Sequence, residues 1–227
     1  MITHYADNKF EPHELPEVHQ GLKIAFIGNS LTLHAPSVEI GWHLHHGMAA
    51  SATGRDYAHR LMRQLRIEPQ QAYIRNFYPF ESDASVAGGH LRSLHGVLLQ
   101  QPAVLVIQLG DNVSTQAQLD DFAHNLQLLV YAATRFSPNV LCVSTWWQMP
   151  ATDSVIEQVC QLHNAQYVYI GDLFDSPHNI DRIYPTYAHS GVEAHPKDWG
   201  MEQISERLYR AILGRLPGMT PARPLLP

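Results

Sequence analysis

The chain has 227 residues, 45% of them apolar, enough for one α/β domain with a substantial core. Net charge is -6 with histidines neutral and no run of Lys or Arg stands out, which argues against nucleic acid or an anionic membrane surface as partner. No apolar stretch approaches the length of a membrane span, and residues 1–20 lack the apolar core of a signal peptide, so a cytoplasmic location is the expectation.

Residues 1–21 read as an irregular arm, 22–216 as a single domain and 217–227 as a proline-rich tail. Leu22 to Ile27 is a buried strand, mostly apolar with β-branched and aromatic members. It breaks at Gly28 into the small polar cluster Asn29-Ser30-Leu31-Thr32. A serine there is either a nucleophile held on rigid backbone or the cap of a turn. The segment 33–47, with a proline, two glycines and four histidines, reads as a long loop of the functional kind. Its His43, His45 and His46 are pocket-shaping or exposed residues, because no further ligands mark a metal centre.

The spacing of Tyr57, Leu61, Met62 and Leu65 predicts a helix over 48–67. A second strand follows at 71–75, then a loop from Asn76 to Asp83. Gly88 and Gly89 break the next segment, ahead of a short helix marked by Leu91, Leu94, Leu98 and Leu99. Ala103 to Leu109 is an unalternated apolar run, as in a strand covered on both faces, and it ends at Gly110-Asp111-Asn112. A helix over 116–136, a strand over 140–144, a helix over 154–164 and a strand over 167–170 continue the alternation. Cys142 and Cys160 fall in these elements as small buried hydrophobes. An irregular stretch, 174–192, precedes a last helix over 198–213. Alternating strands and helices imply a parallel sheet with helices on both faces.

Polar residues thus stand at several strand ends, which converge on one edge of such a sheet. Serine needs a base to take its proton, histidine suits that task near neutral pH, and an acyl-transfer intermediate needs donors for its oxyanion. Ser30, Asn112 and His195 supply those residue types.

Gly28-Asn29-Ser30-Leu31-Thr32 resembles the Gly-Asp-Ser-Leu block of the SGNH/GDSL hydrolases, Gly110-Asp111-Asn112 is similar to their Gly-x-Asn block, and His195-Pro196 before an amphipathic helix resembles their final histidine block. The resemblance implies a flavodoxin-like three-layer α/β/α sandwich with a five-stranded parallel sheet. It implies Ser30 as nucleophile, His195 as general base, and an oxyanion hole from the Asn112 amide, the Ser30 N–H and one N–H of the second block. If Asn76 heads that second block, Glu81 falls near its glycine position, and its backbone N–H is the candidate donor. The family's acid usually sits three residues before the histidine. That position is Val192, so Glu193, one residue off register, is the candidate acid, with a backbone carbonyl as the alternative orienting group. Asn29, Trp42, Trp146 and Trp199 are the candidate substrate contacts, with one of the Trp146-Trp147 pair assigned to the core. No cofactor and no metal are implied. The expected activity is hydrolysis of a small O-acyl ester, acetyl above all, on a carbohydrate. A non-catalytic ligand-binding module and an acyltransferase are the alternatives.

Overall fold

A computed structural model describes residues 21–178 and 187–215. Almost all of the arm and the whole of the tail expected at the two ends lie outside these residues. The elements run β1 (Ile24–Gly28), α1 (Tyr57–Leu65), β2 (Ala72–Asn76), α2 (Tyr78–Ser82), α3 (Ala84–Leu98), β3 (Val104–Gln108), α4 (Gln116–Phe136), β4 (Asn139–Val143), α5 (Pro150–Leu162), β5 (Gln166–Val168), α6 (Ser190–Glu193) and α7 (Asp198–Arg215).

The strands form one parallel sheet in the order β2-β1-β3-β4-β5. Side chains alternate across it and feed two cores. Ala25, Ile27, Leu105, Ile107, Val140 and Cys142 pack with Leu94 of α3, Phe122 and Leu126 of α4 and Ile156 of α5. Ile24, Phe26, Val104, Val106, Leu141 and Val143 pack with Leu61 of α1 and Leu208 and Ile212 of α7. Burial on both faces is why these strands read as continuous apolar runs, each Val, Leu or Ile contributing roughly 1.5–3 kcal/mol. Both cysteines are buried and free.

Helix boundaries depart from the sequence expectation in several places: the loop expected from Asn76 to Asp83 holds α2, the irregular stretch expected over 174–192 holds α6, and α5 starts at Pro150 rather than 154. The helix expected over 48–67 begins only at Tyr57, because Ala49 and Gly54 adopt positive φ and Asp56 caps the first turn by accepting from His59 N at 2.8 Å. Conversely, Gly88 and Gly89 do not break the chain: α3 runs through both, started by the Asp83 carboxylate on Ser85 N at 2.9 Å. The roughly 1 kcal/mol that each glycine costs a helix is outweighed by the burial of Ala87, Leu94, Val97 and Leu98.

In this strand order the chain leaves β1 toward one side of the sheet and β3 continues toward the other. The crevice between their carboxyl ends is the topological switch point, where open α/β sheets bind ligands. Gly28 pairs with Gln108 across it, so the segments after β1 and β3 leave the sheet side by side.

Candidate active site

Gly28 sets the geometry of the β1 exit. A Cβ there would lie 1.9 Å from Thr32 Oγ1 and 2.8 Å from the Gln108 carbonyl oxygen, so no other residue fits. The chain then turns tightly, with Thr32 N and Leu33 N both donating to the Asn29 carbonyl, at 3.0 and 3.1 Å. Ser30 stands at the top of this turn, half-buried, and its carbonyl accepts from Met48 N at 2.9 Å.

Ser30 Oγ lies 2.7 Å from His195 Nε2. His195 Nδ1 lies 2.6 Å from the Gly191 carbonyl oxygen. A carbonyl only accepts, so Nδ1 carries the proton, and Nε2 of the neutral ring is left to accept from Ser30. Burial presses the His195 pKa down to about 4, the Gly191 bond opposes that, and His34 and His189 nearby lower it further. The imidazole is therefore neutral at pH 7 and ready to take a proton.

The histidine is held by its own short helix. His195 N donates to the Val192 carbonyl at 3.1 Å, and Trp146 Nε1 donates to the Ala194 carbonyl at 3.0 Å. Val192 is fully buried in a satellite cluster with Ile40, Trp42, Met48 and Tyr187. The position where an acid was sought thus anchors α6 to the long loop after Ser30. That loop is ordered by the paired bonds between Ser37 and Trp42 (2.7 and 3.0 Å) and by His34 N on the His46 carbonyl at 2.9 Å. Two of its histidines are engaged locally, with His34 Nδ1 on the Ala35 carbonyl at 2.6 Å, His46 Nδ1 on the Gly47 carbonyl at 3.0 Å and the His46 ring edge-on to Trp42, whereas His43 and His45 are exposed.

The expectation that Glu193 orients His195 is corrected. Glu193 Oε2 accepts from Tyr187 N at 2.9 Å, and Oε1 pairs with Lys197. A helical turn brings the carbonyl of residue i−4, Gly191, onto the imidazole, and that contact takes the place of a carboxylate.

The β3 side carries a second assembly. Asn112, half-buried, donates from Nδ2 to Glu81 Oε2. Glu81 Oε1 also receives Gly110 N and, at 3.0 Å, Asn29 Nδ2. Asn29 Nδ2 is shared with Asp111 Oδ2 at 2.9 Å, while Asn29 Oδ1 accepts from Leu31 N at 3.0 Å. Asp111 further accepts from Gln108 Nε2 at 2.6 Å and Trp146 N at 2.6 Å. Both carboxylates are buried. Burial pushes the Glu81 carboxyl up to about 7, the Asp111 charge adds to this, and the bonds from Asn112, Asn29 and Gly110 oppose it. Asp111 is likewise raised, chiefly by burial.

Glu81, expected at the site as a backbone donor, reaches it with its side chain, from α2. Two further expectations are corrected by burial. Asn29 is fully buried inside the carboxylate network and cannot touch a substrate. Trp42 and Trp146 are core residues, whereas Trp199 is exposed, its ring 5.6 Å from that of His178. The aromatic that does flank the site is half-buried Trp147, its ring 5.0 Å from that of His195 and perpendicular to it. Trp146 and Trp147 are adjacent at a strand end, and alternation alone does not say which turns inward. Asn76, the marker of the second block, ties β2 to the loop after Ser30: Nδ2 donates to the Leu33 carbonyl at 2.8 Å, and Oδ1 accepts from Tyr78 N at 2.7 Å.

No family model matches the chain, and no curated protein matches it in sequence. Solved structures do match. Axe2, an acetylxylan esterase from Geobacillus stearothermophilus, superposes with a TM-score of 0.53 at 16% identity, covering 87% of this chain and 96% of its own. TesA gives a TM-score of 0.56 at 16% identity, with 86% and 99% covered. A lipolytic protein of the G-D-S-L family from Desulfitobacterium hafniense DCB-2 gives 0.52 at 14% identity, with 84% and 99% covered. The fold is that of the SGNH/GDSL hydrolases. Ser30, Asn112 and His195 lie where this fold brings the ends of β1 and β3 and the start of α7 together. Catalytic mutants of Axe2 replace a serine, a histidine or an aspartate; here the imidazole rests on a backbone carbonyl.

Proposed function

We propose that the protein is a serine esterase that hydrolyses a small O-acyl ester, acetyl on a carbohydrate, through an acyl-Ser30 intermediate. The observation that carries this reading is Ser30 Oγ 2.7 Å from the Nε2 of a neutral imidazole whose Nδ1–H is fixed by Gly191. Ser30 Oγ attacks the ester carbonyl as its proton passes to His195 Nε2. The tetrahedral oxyanion takes hydrogen bonds from the Asn112 amide and the Ser30 N–H. Collapse expels the alcohol, which takes the proton from His195. A water molecule, deprotonated by the same nitrogen, then releases the carboxylic acid and restores Ser30. A carbonyl in place of a carboxylate gives the imidazolium orientation without a full counter-charge, so the machinery is a Ser-His pair.

The carbohydrate part is supported by the acetylxylan esterase among the similar structures and by Trp147, whose half-buried indole beside His195 offers a face to a sugar ring. Turnover of p-nitrophenyl acetate and acetylated xylo-oligosaccharides by wild type, Ser30→Ala and His195→Ala tests the reading. Each variant is expected to lose at least about 10³-fold in kcat/KM. Equal turnover by all three proteins, or none by wild type, refutes it.

A further inference from the structure

Glu81 is a buried carboxylate that the proton transfers above do not use. It sits in α2, away from Ser30 in the chain, yet receives donors from the exits of both central strands: Asn29 after β1, and Gly110 and Asn112 after β3. Burying a carboxylate is costly unless it is fully hydrogen-bonded, and Asp111 beside it makes the cost larger. Such an arrangement needs a compensating role. Asn112 is only half-buried, and the terminal torsion of an asparagine is broad, so its amide plane has to be held from outside. Glu81 Oε2 holds it through one N–H. The second N–H of the planar amide then has a fixed direction and remains for another acceptor. Gly110, whose backbone N–H binds the same carboxylate, adopts φ 124°, a conformation suited to glycine, so the loop carrying Asn112 is shaped around Glu81.

We propose that Glu81 is a positioning residue of the oxyanion hole: by accepting one N–H of Asn112 it sets the amide plane and presents the other N–H to the tetrahedral intermediate. This role rests on the esterase reading. It predicts a transition-state effect that exists only while Asn112 is present. A carboxylate that merely holds the fold together would act regardless of Asn112.

A double-mutant cycle with p-nitrophenyl acetate separates the two, using wild type, Glu81→Gln, Asn112→Ala and the double variant, with thermal unfolding recorded for each. Asn112→Ala is expected to lower kcat by roughly 10²-fold or more with KM within about threefold. Glutamine keeps the shape of Glu81 but sets an NH2 group against one of its donors, so Glu81→Gln is expected to lower kcat about tenfold or more, again with little change in KM. The double variant is expected to be no slower than Asn112→Ala. Losses that multiply in the double variant, or a Glu81→Gln enzyme within about twofold of wild type, overturn the role. Should Glu81→Gln fail to fold, Glu81→Asp, which withdraws the carboxylate by one methylene, carries the same cycle. A Ser30→Ala control separates the two failures. Wild type active, Ser30→Ala inactive and Glu81→Gln unimpaired refutes only the role of Glu81. An inactive wild type, or an active Ser30→Ala, refutes the esterase reading and this role with it.

Discussion

The two sides of the candidate site are built from opposite materials. On the histidine side the supports are apolar side chains and backbone carbonyls: Val192 in a hydrophobic cluster, Gly191 O on Nδ1, and the Trp146 indole on Ala194 O. On the asparagine side the supports are two buried carboxylates, Glu81 and Asp111, that share the Asn29 amide. The carboxylates of the site gather beneath Asn112, the proposed oxyanion donor, whereas the Nδ1 of His195, the proposed base, meets a carbonyl. The contrast teaches that orientation and counter-charge are separable. Here a carbonyl engages the imidazole, and a carboxylate engages the amide proposed to bind the oxyanion.

The largest expected effect tests the histidine side. Val192→Asp restores a carboxylate at the position where an acid was sought, but within an apolar cluster. It is expected to cost about 3–5 kcal/mol in urea unfolding, because the new charge is buried without a partner. No gain in kcat should accompany it, since Nδ1 already has its acceptor. A faster enzyme of unchanged stability would show that the base lacked a counter-charge after all.

The next effect probes the carboxylate side through pH. The Glu81 carboxyl sits at about 7 against an ordinary 4.5. Between those values the folded protein keeps a proton that the unfolded chain has released. Stability from this group therefore falls as pH rises through that window, and the full cost is in place above 7. Glu81→Gln removes the cost. Its unfolding free energy relative to wild type is expected to improve by about 2–3 kcal/mol from pH 5 to pH 8, measured by urea denaturation. A difference that stays flat, or moves the other way, would mean that the carboxylate is adequately solvated by its donors. His90 and His195, both held near 4 by burial, act oppositely: they take up protons on unfolding below about 6.5, so wild type loses stability as pH drops toward 4. Both proteins share them, and the comparison cancels them.

The smallest effect concerns Glu193. Its bonds to Lys197 and Tyr187 N are local ties, so Glu193→Gln is expected to change kcat by less than about twofold and stability by about 1 kcal/mol. A tenfold fall in kcat, together with a shifted acid limb of kcat/KM, would return the orienting role to this carboxylate.

Much of the framework was legible in the chain because burial on both faces leaves an unalternated apolar run. Leu22 to Ile27 and Ala103 to Leu109 announce the two central strands, and their polar ends place Ser30 and Asn112 at one edge. What holds those residues was legible only in part. A backbone carbonyl was the alternative to an acid beside His195, but no side-chain pattern marks Gly191 as its owner. Glu81 lies in Tyr-Pro-Phe-Glu-Ser, and nothing local distinguishes a solvated glutamate from one that five residues of helix deliver beneath two loops. Trp146 and Trp147 exchange their expected places because the direction of a side chain just past a strand depends on the turn that follows. Val192 looked like a defect in a motif, although its burial with Trp42 shows a hydrophobic anchor.

That anchor has a consequence for how the molecule opens. The cluster of Ile40, Trp42, Met48, Tyr187 and Val192 lies outside the two cores that flank the sheet, and it clasps the segment after Ser30 to the segment before His195. Ser30 and His195, the proposed nucleophile and base, thus lean on a small cluster whose local opening would part them while the sheet stays intact. The proposed activity is then expected to fade, on heating, below the temperature that melts the sheet.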